Sequence, residues 1–214
     1  MTNRLLITVA TILLVAATVP SEAHSQERYS LAARIGVATA SGAFGRYTTP
    51  GTSASLRFAY GLGSGTYWFA EGGRDAFGDQ ELKHQIVTGP SIDALRLLAG
   101  IEQELIPSDL SGYENVSLRV RGGVGLQKLD SDTFRYIGGT EDLSFSTTSF
   151  MAGAGVALGY DVSRTVTLFV DAGVNWAKVN EDQTQELANL AIFYVDTFSS
   201  AFSFPYSLGV RIGF

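Results

Sequence analysis

The sequence predicts an all-β fold, an eight-stranded antiparallel up-and-down barrel, and three observations carry that prediction. The last segment alternates without interruption: Phe202, Phe204, Tyr206, Leu208, Val210, Ile212 and Phe214 hold the even positions, with Ser203, Pro205, Ser207, Gly209, Arg211 and Gly213 between them. Seven earlier segments repeat this period of two. The 24 glycines, against 5 prolines and with no Gly-x-y period, suit tight turns and close backbone packing rather than a helical bundle or a collagen.

The chain begins with a different pattern. Arg4 precedes the uncharged run Leu5 to Val19, which is followed by Pro20, Ser21, Glu22 and Ala23. A basic start, a short apolar run and small residues before the cut read as a secretory signal peptide over 1–23, leaving 24–214 as one β-barrel domain. The run is shorter than the roughly 18 to 20 residues that a spanning helix needs.

The strands follow in order. The first, near Tyr29 to Thr39, sets Leu31, Ala33, Ile35 and Val37 against Ser30, Arg34 and Gly36. The second, Ser53 to Leu62, sets Leu56, Phe58 and Tyr60 against Ser55, Arg57 and Gly61, and a Gly63-Ser64-Gly65 turn leads to the third, Thr66 to Gly73. There Tyr67-Trp68-Phe69 hides the alternation. The fourth, Ser91 to Glu102, opposes Leu95, Leu97 and Ile101 to Arg96 and Gly100; the fifth, Asn115 to Gln127, opposes Leu118, Val120, Val124 and Leu126 to Arg119, Arg121 and Gly123. The sixth, Ser149 to Tyr160, places Phe150, Val156, Leu158 and Tyr160 opposite Gly153, Gly155 and Gly159. After the turn Asp161 to Arg164, the seventh pairs Val166, Leu168, Val170 and Trp176 with Thr167, Asp171 and Asn175, and the alternating C-terminal segment is the eighth.

Connections alternate in length. The turns after strands two and six are short and the one after strand four is longer, around 103–114; those after one, three, five and seven are long, about 41–52, 74–90, 128–148 and 177–201. Short turns at one rim and long loops at the other are the pattern of an outer-membrane barrel.

The face that meets lipid follows from charge. An Arg on the lipid face at the bilayer midplane costs roughly 2 to 4 kcal/mol. Arg34, Arg57, Arg96, Arg119, Arg121 and Arg211 all fall on the less apolar face, whereas the apolar faces carry no charge in these segments. A soluble barrel would invert this arrangement and need Lys, Glu, Thr and Asn outside; the polar face here is glycine, serine and arginine. Tyr29, Tyr60, Trp68, Tyr160, Trp176, Phe202 and Tyr206 are placed near strand ends, as interfacial girdles require. The reading is therefore a transmembrane barrel with its polar face inward.

The signal peptide, the eight alternating segments and the terminal Phe204-Pro-Tyr206-Ser-Leu208-Gly-Val210-Arg-Ile212-Gly-Phe214 resemble the small outer-membrane β-barrels of the OmpA/OmpX type. The resemblance covers essentially the whole mature chain. It implies a bacterial outer-membrane location with periplasmic termini and extracellular loops. The partners it implies are outer-membrane lipid and lipopolysaccharide, together with a barrel-assembly machinery that reads Tyr206, Leu208, Val210, Ile212 and Phe214 as its signal. Pro205 departs from the pattern and is expected near the outer rim or at a bulge, because it has no ladder donor.

Buried charges must pair. Six inward arginines face Glu71, Asp171 and Glu102, so a lumen network of Arg34, Arg57, Glu71, Arg96, Arg119, Arg121, Asp171 and Arg211 is expected, with room supplied by Gly153, Gly155 and Gly159. It would act as a plug that leaves at most a thin anion-preferring water path, and breaking it would raise conductance. The barrel is expected to be a monomer.

Other chemistry is sparse. No cysteine excludes a thiolate site, and a net charge of −6 with 15 basic residues argues against nucleic acid. His24 and His84 are the two histidines; His84, Ser91 and Asp93 can be drawn as a hydrolytic set, but at no familiar spacing. No H-E-x-x-H, G-x-S-x-G or P-loop occurs. The long connections carry eleven acids, Asp75 among them, against six bases, Arg74, Lys128 and Lys178 among them. Asp130, Asp132, Glu141 and Asp142 could hold a divalent cation, but lack EF-hand spacing. No cofactor or enzymatic activity is expected. The expected role is structural, adhesive or surface-interacting through the loops, with a narrow channel as the alternative and lipid modification behind it.

Overall fold

A computed structural model describes residues 28–42, 44–46, 48–79, 91–106, 115–132, 144, 146–179 and 200–214. The segment read as a signal peptide and most of the long connections lie outside them.

Eight strands close into one barrel: β1 Tyr29–Ser41, β2 Thr48–Gly63, β3 Thr66–Asp79, β4 Ile92–Ile106, β5 Val116–Ser131, β6 Ser146–Asp161, β7 Val166–Lys178 and β8 Ser200–Gly213. Each pairs antiparallel with its neighbours in sequence, and β8 returns to β1. The architecture is the one the alternation predicts. The strands are longer than predicted, however, at 13 to 16 residues against the 9 to 11 or so that cross a hydrocarbon core. Their ends project beyond the bilayer, where an apolar outer face is no longer required, so the alternation fades while the ladder continues.

The ladder is staggered. Following paired residues once round, from Leu31 through Phe58, Ala70, Ala99, Val124, Ala152, Trp176 and Phe202, the path comes back to β1 at Ser41, ten residues further along. An eight-stranded barrel of this kind has an interior just wide enough to be filled by side chains.

Local chemistry sets the short turns. Gly63, Ser64 and Gly65 all have positive φ, so two of the three positions need glycine. In the β6–β7 turn the Ser163 hydroxyl accepts from the backbone N–H groups of Thr165 and Val166 at 3.3 and 3.1 Å. Pro205 sits at neither a rim nor a bulge. It is buried in mid-β8, and the β7–β8 ladder stops at Ala172↔Tyr206 and resumes at Asn175↔Ser203 without a change of register. The missing N–H is absorbed by a local gap in the ladder.

The outer surface is an apolar belt, with Ile35, Leu97 and Leu208 at 67, 63 and 65% exposure. Tyr29 packs against Phe214, Tyr60 and Phe58 with ring centroids 6.2, 5.3 and 6.1 Å apart, an aromatic cluster at the turn-side rim. Trp176 is paired with Phe202 at the loop-side rim. Tyr206 is a correction to the expected girdle: it lies mid-strand, paired across β8 and β1 with Val37, and belongs to the lipid-facing belt. The outer face also carries charge at its loop-side end, at Arg74, Asp93, Lys128, Asp130 and Lys178, because the strands continue past the belt. No helix among the described residues is long and apolar enough to cross a membrane; crossing falls to the strands.

Candidate functional site

Alternation turns Ser30, Ala32 and Arg34 of β1 into the barrel, and the same parity brings Arg57, Glu71, Arg96, Glu102, Arg119, Arg121, Asp171 and Arg211 inward from six other strands. Tyr67 and Phe69 also face in while Trp68 faces out, which resolves the aromatic triplet of β3.

The ionic side chains form one chain of contacts across the lumen. Asp171 accepts from Arg34 Nη1 at 2.8 Å and from both terminal nitrogens of Arg121, Nη2 at 2.7 Å. Arg34 also donates to Glu71, and its Nε donates to Ser55 Oγ at 2.8 Å. Glu71 takes Arg57, its cross-strand partner, through Nε and Nη2 at 3.0 and 2.9 Å. Arg57 Nη1 reaches Glu102 Oε2 at 2.5 Å. The other oxygen of Glu102 lies 3.2 Å from Arg119 and 3.5 Å from Arg211, and Arg119 continues to Glu104 at 3.5 Å. Guanidinium faces are used as well: Arg57 lies over Phe69, Arg119 over Tyr67 and Arg211 over Phe169, at 5.2, 4.6 and 5.4 Å from the ring centroids.

Arg96 stands apart, nearer the loop side. It is 3.1 Å from Asp75, which accepts a 2.6 Å hydrogen bond from Ser53, and its Nη2 donates to the same Ser53 hydroxyl at 3.3 Å.

Two of these acids escape the sequence reading. Asp75 falls in a predicted long connection, and Glu104 has no predicted role. In the structure Asp75 lies in β3 and is fully buried in the lumen, and Glu104 lies in β4. The available signal is parity: Asp75 is two steps of two beyond Glu71, and Glu104 is one such step beyond Glu102. With them, six arginines face five carboxylates among the described residues.

Above the ions, towards the loops, lies an apolar layer. Phe44, from a single 3-10 turn at Phe44–Arg46, folds into the barrel mouth and meets Phe77 edge-on at 5.4 Å. Ile92, Ala94, Leu129, Met151, Ala177, Val179 and Ala201 complete the layer, all buried. Phe77, Leu129, Ala177 and Ala201 come from strand extensions and Phe44 and Val179 from beyond the strands, where the alternation does not announce them; Ile92, Ala94 and Met151 lie on the inward face of predicted strands four and six.

Glycine makes room for the network. A Cβ on Gly155 would lie 2.5 Å from the Arg121 guanidinium, on Gly153 2.8 Å from Asn175, and on Gly159 2.7 Å from Ser117. Only the first of these three faces an arginine. Gly155→Ala is therefore expected to displace Arg121 from Asp171 and cost about 1 to 3 kcal/mol as overpacking, measured by urea unfolding of the refolded barrel. A cost equal to that of Gly122→Ala, where a Cβ meets nothing, would show that the contact does not matter.

Of the residues considered for hydrolysis, Ser91 and Asp93 are described and each has another partner. Ser91 donates to Asp132, while Asp93 points to the outer surface and receives two bonds from Arg74, at 3.1 and 2.5 Å. His24 and His84 lie outside the described residues, as do Glu141 and Asp142. Asp130 pairs with Lys128 at 2.9 Å. Among the described residues no three acidic or histidine side chains are grouped to hold a metal.

No family model matches the chain, and no curated protein matches it. Solved structures do. Neisserial surface protein A superposes with a TM-score of 0.60 at 18% identity, covering 89% of this chain and 100% of its own. A major outer membrane protein from Thermus thermophilus gives 0.51 at 14%, covering 89% and 100%. At such identities the likeness speaks for the fold, which agrees with the lipid-facing belt and the polar lumen. In fold, the chain is a small eight-stranded transmembrane β-barrel of the outer-membrane kind.

Proposed function

We propose that this is a non-enzymatic outer-membrane protein closed to solutes, whose structural, adhesive or surface-interaction role is exercised by its long connections. In this reading the termini and short turns face the periplasm and the long connections face outward. The observation that supports it is the doubly filled lumen: a paired ionic layer spans the barrel, and an apolar layer stands over it on the loop side. Hydrated ions would have to displace paired guanidinium groups and then pass the apolar side chains of Phe44, Phe77, Leu129 and Met151, and each step opposes passage.

The test is conductance in planar bilayers. The unmodified barrel is expected to be silent, and Glu71→Gln with Asp171→Asn is expected to loosen the ionic layer yet conduct little while Phe44, Leu129 and Met151 remain. Adding Phe44→Ala and Met151→Ala should open a path. A narrow channel becomes the better account if the unmodified protein already conducts like a porin.

The terminal strand supports a second expectation under the same proposal. Phe214 N–H donates to Tyr29 O at 2.9 Å and Tyr29 N–H returns a bond to Phe214 O at 3.1 Å, so the last residue fastens the β1–β8 closure. If Tyr206, Leu208, Val210, Ile212 and Phe214 also serve as the assembly signal, deleting Phe214 lowers the amount reaching the outer membrane far more than it lowers the unfolding midpoint of protein refolded in detergent. Unchanged membrane yield would remove the signal role.

A further inference from the structure

We propose that the turn-side end of the lumen binds one small monovalent anion of the halide class, held by the guanidinium groups of Arg119 and Arg211. The site lies away from the long connections and does not rest on the role proposed for them.

Charge is the first reason. Among the described residues six lumen arginines face five carboxylates, and an arginine does not give up its proton in a protein. One positive charge is therefore in excess, in an interior where unpaired charge is costly. The turn-side rim does not cancel it. Asp161 and the carboxylate of Phe214 stand there against Arg28 and Arg164, and Asp161 already accepts a 2.6 Å hydrogen bond from Thr167. On the loop side the apolar layer of Phe44, Phe77, Leu129 and Met151 separates the network from any further charge.

The hydrogen bonds say where the surplus lies. Arg34, Arg57 and Arg121 each have a carboxylate oxygen within 2.9 Å, and Arg96 has Asp75 to itself at 3.1 Å. Arg119 and Arg211 instead share one oxygen of Glu102, at 3.2 and 3.5 Å, and the further contact of Arg119 with Glu104 is also 3.5 Å. Both arginines are buried, yet Arg119 Nε and Arg211 Nη1 have no hydrogen-bond partner. A buried N–H without an acceptor is costly, more so on a charged group. Arg96 Nε is unpartnered too, but that arginine is matched one to one by Asp75.

The surroundings suit a small anion. Because both guanidinium groups touch the same carboxylate oxygen they lie close together, and Arg119 is the charged neighbour that bears most strongly on Arg211. In register Arg119 stands beside Ala157 and Arg211 beside Ala32, and these two alanines with Phe169 form a small buried apolar cluster. Two like charges with a spare donor each, against a wall that offers no acceptor, are complementary to an anion. An eight-stranded lumen is just wide enough to be filled by side chains, so the ion is small. A doubly charged sulfate or phosphate would exchange a surplus of one positive charge for one negative. Entry is from the turn side, where Glu104 is the most exposed ionic side chain of the lumen network at 13%; the apolar layer closes the other end, so the ion arrives and leaves by the same mouth.

Urea unfolding of the refolded mature barrel in detergent, with gluconate replaced stepwise by chloride at constant ionic strength, tests the site. Gluconate is monovalent but too large for the lumen. A ligand that binds only the folded state stabilises it, so the midpoint is expected to rise with chloride and level off, and bromide should act likewise. Arg211→Gln removes the surplus charge and the unpartnered Nη1 while Glu102 keeps Arg57 and Arg119, and is expected to abolish the saturating rise. Arg164→Gln, at the exposed rim, should leave it intact. Crystals of the unmodified protein grown with bromide in place of chloride are expected to show an anomalous-scattering peak between Arg119 and Arg211, a result that stands even if Arg211→Gln fails to refold. A midpoint indifferent to chloride overturns the site, as does a rise that survives Arg211→Gln or is lost in Arg164→Gln, or a bromide map with no peak between the two arginines.

Discussion

Replacing Glu102 with Gln is expected to destabilise the folded barrel by about 3 to 5 kcal/mol, the usual cost of leaving buried charge unpaired. Glu102 is 2% exposed and serves three guanidinium groups, those of Arg57, Arg119 and Arg211. After the substitution Arg57 keeps Glu71 and Arg119 keeps Glu104, but Arg211 has no second carboxylate among the described residues. It keeps the face of Phe169 and the more distant charge of Glu104. The amide keeps the shape of the acid, so the loss reports charge rather than a cavity. Urea titration of the refolded protein in phosphatidylcholine vesicles measures it. Asp93→Asn is the control, since Arg74 and Asp93 are 62 and 41% exposed and such a pair contributes about 1 kcal/mol at most. Equal shifts for the two variants would mean that water screens the lumen and that the ionic layer does not hold the fold.

Leu97→Arg is expected to cost about 2 to 4 kcal/mol in the same vesicles, because it places a cation on the lipid face within the belt. Leu97 is 63% exposed and points outward from β4, while its neighbour Leu98 is buried inside. The sign separates the two ways of closing this barrel. In a water-soluble one, an arginine at so exposed a position would change stability by roughly 0.5 kcal/mol or less. A neutral result would place the belt in water and reverse the assignment of the faces.

Much of the fold was legible because the alternation of a β-strand is a local property. Val120 and Arg121 must face opposite ways whatever the rest of the chain does, and the cost of charge in lipid then decides which way is in. Strand ends were less legible. Asp75 looked like a loop residue because Arg74 breaks the apolar face just before it, yet the ladder with β4 runs on through Asp75, Ala76 and Phe77. Outside the hydrocarbon nothing obliges the outer face to be apolar, so the signal ends where the bilayer ends rather than where the strand ends.

Sequence by itself determined the number of strands, their order, the inward parity and the inventory of lumen arginines. Only the closed structure decided how those arginines are shared. Arg57 and Glu71 sit opposite each other in a hairpin, but Arg34 and Asp171 are 137 residues apart and meet because β1 and β7 face one lumen. In register, Arg121 lies opposite Glu102, yet it turns instead to Asp171, leaving Glu102 to Arg57, Arg119 and Arg211. The physical reason is reach. Arginine side chains are long compared with an eight-stranded lumen, so each can choose among carboxylates on several strands. The choice is set by the ten-residue stagger, by the space that Gly155 leaves for Arg121, and by the need to leave no buried charge alone.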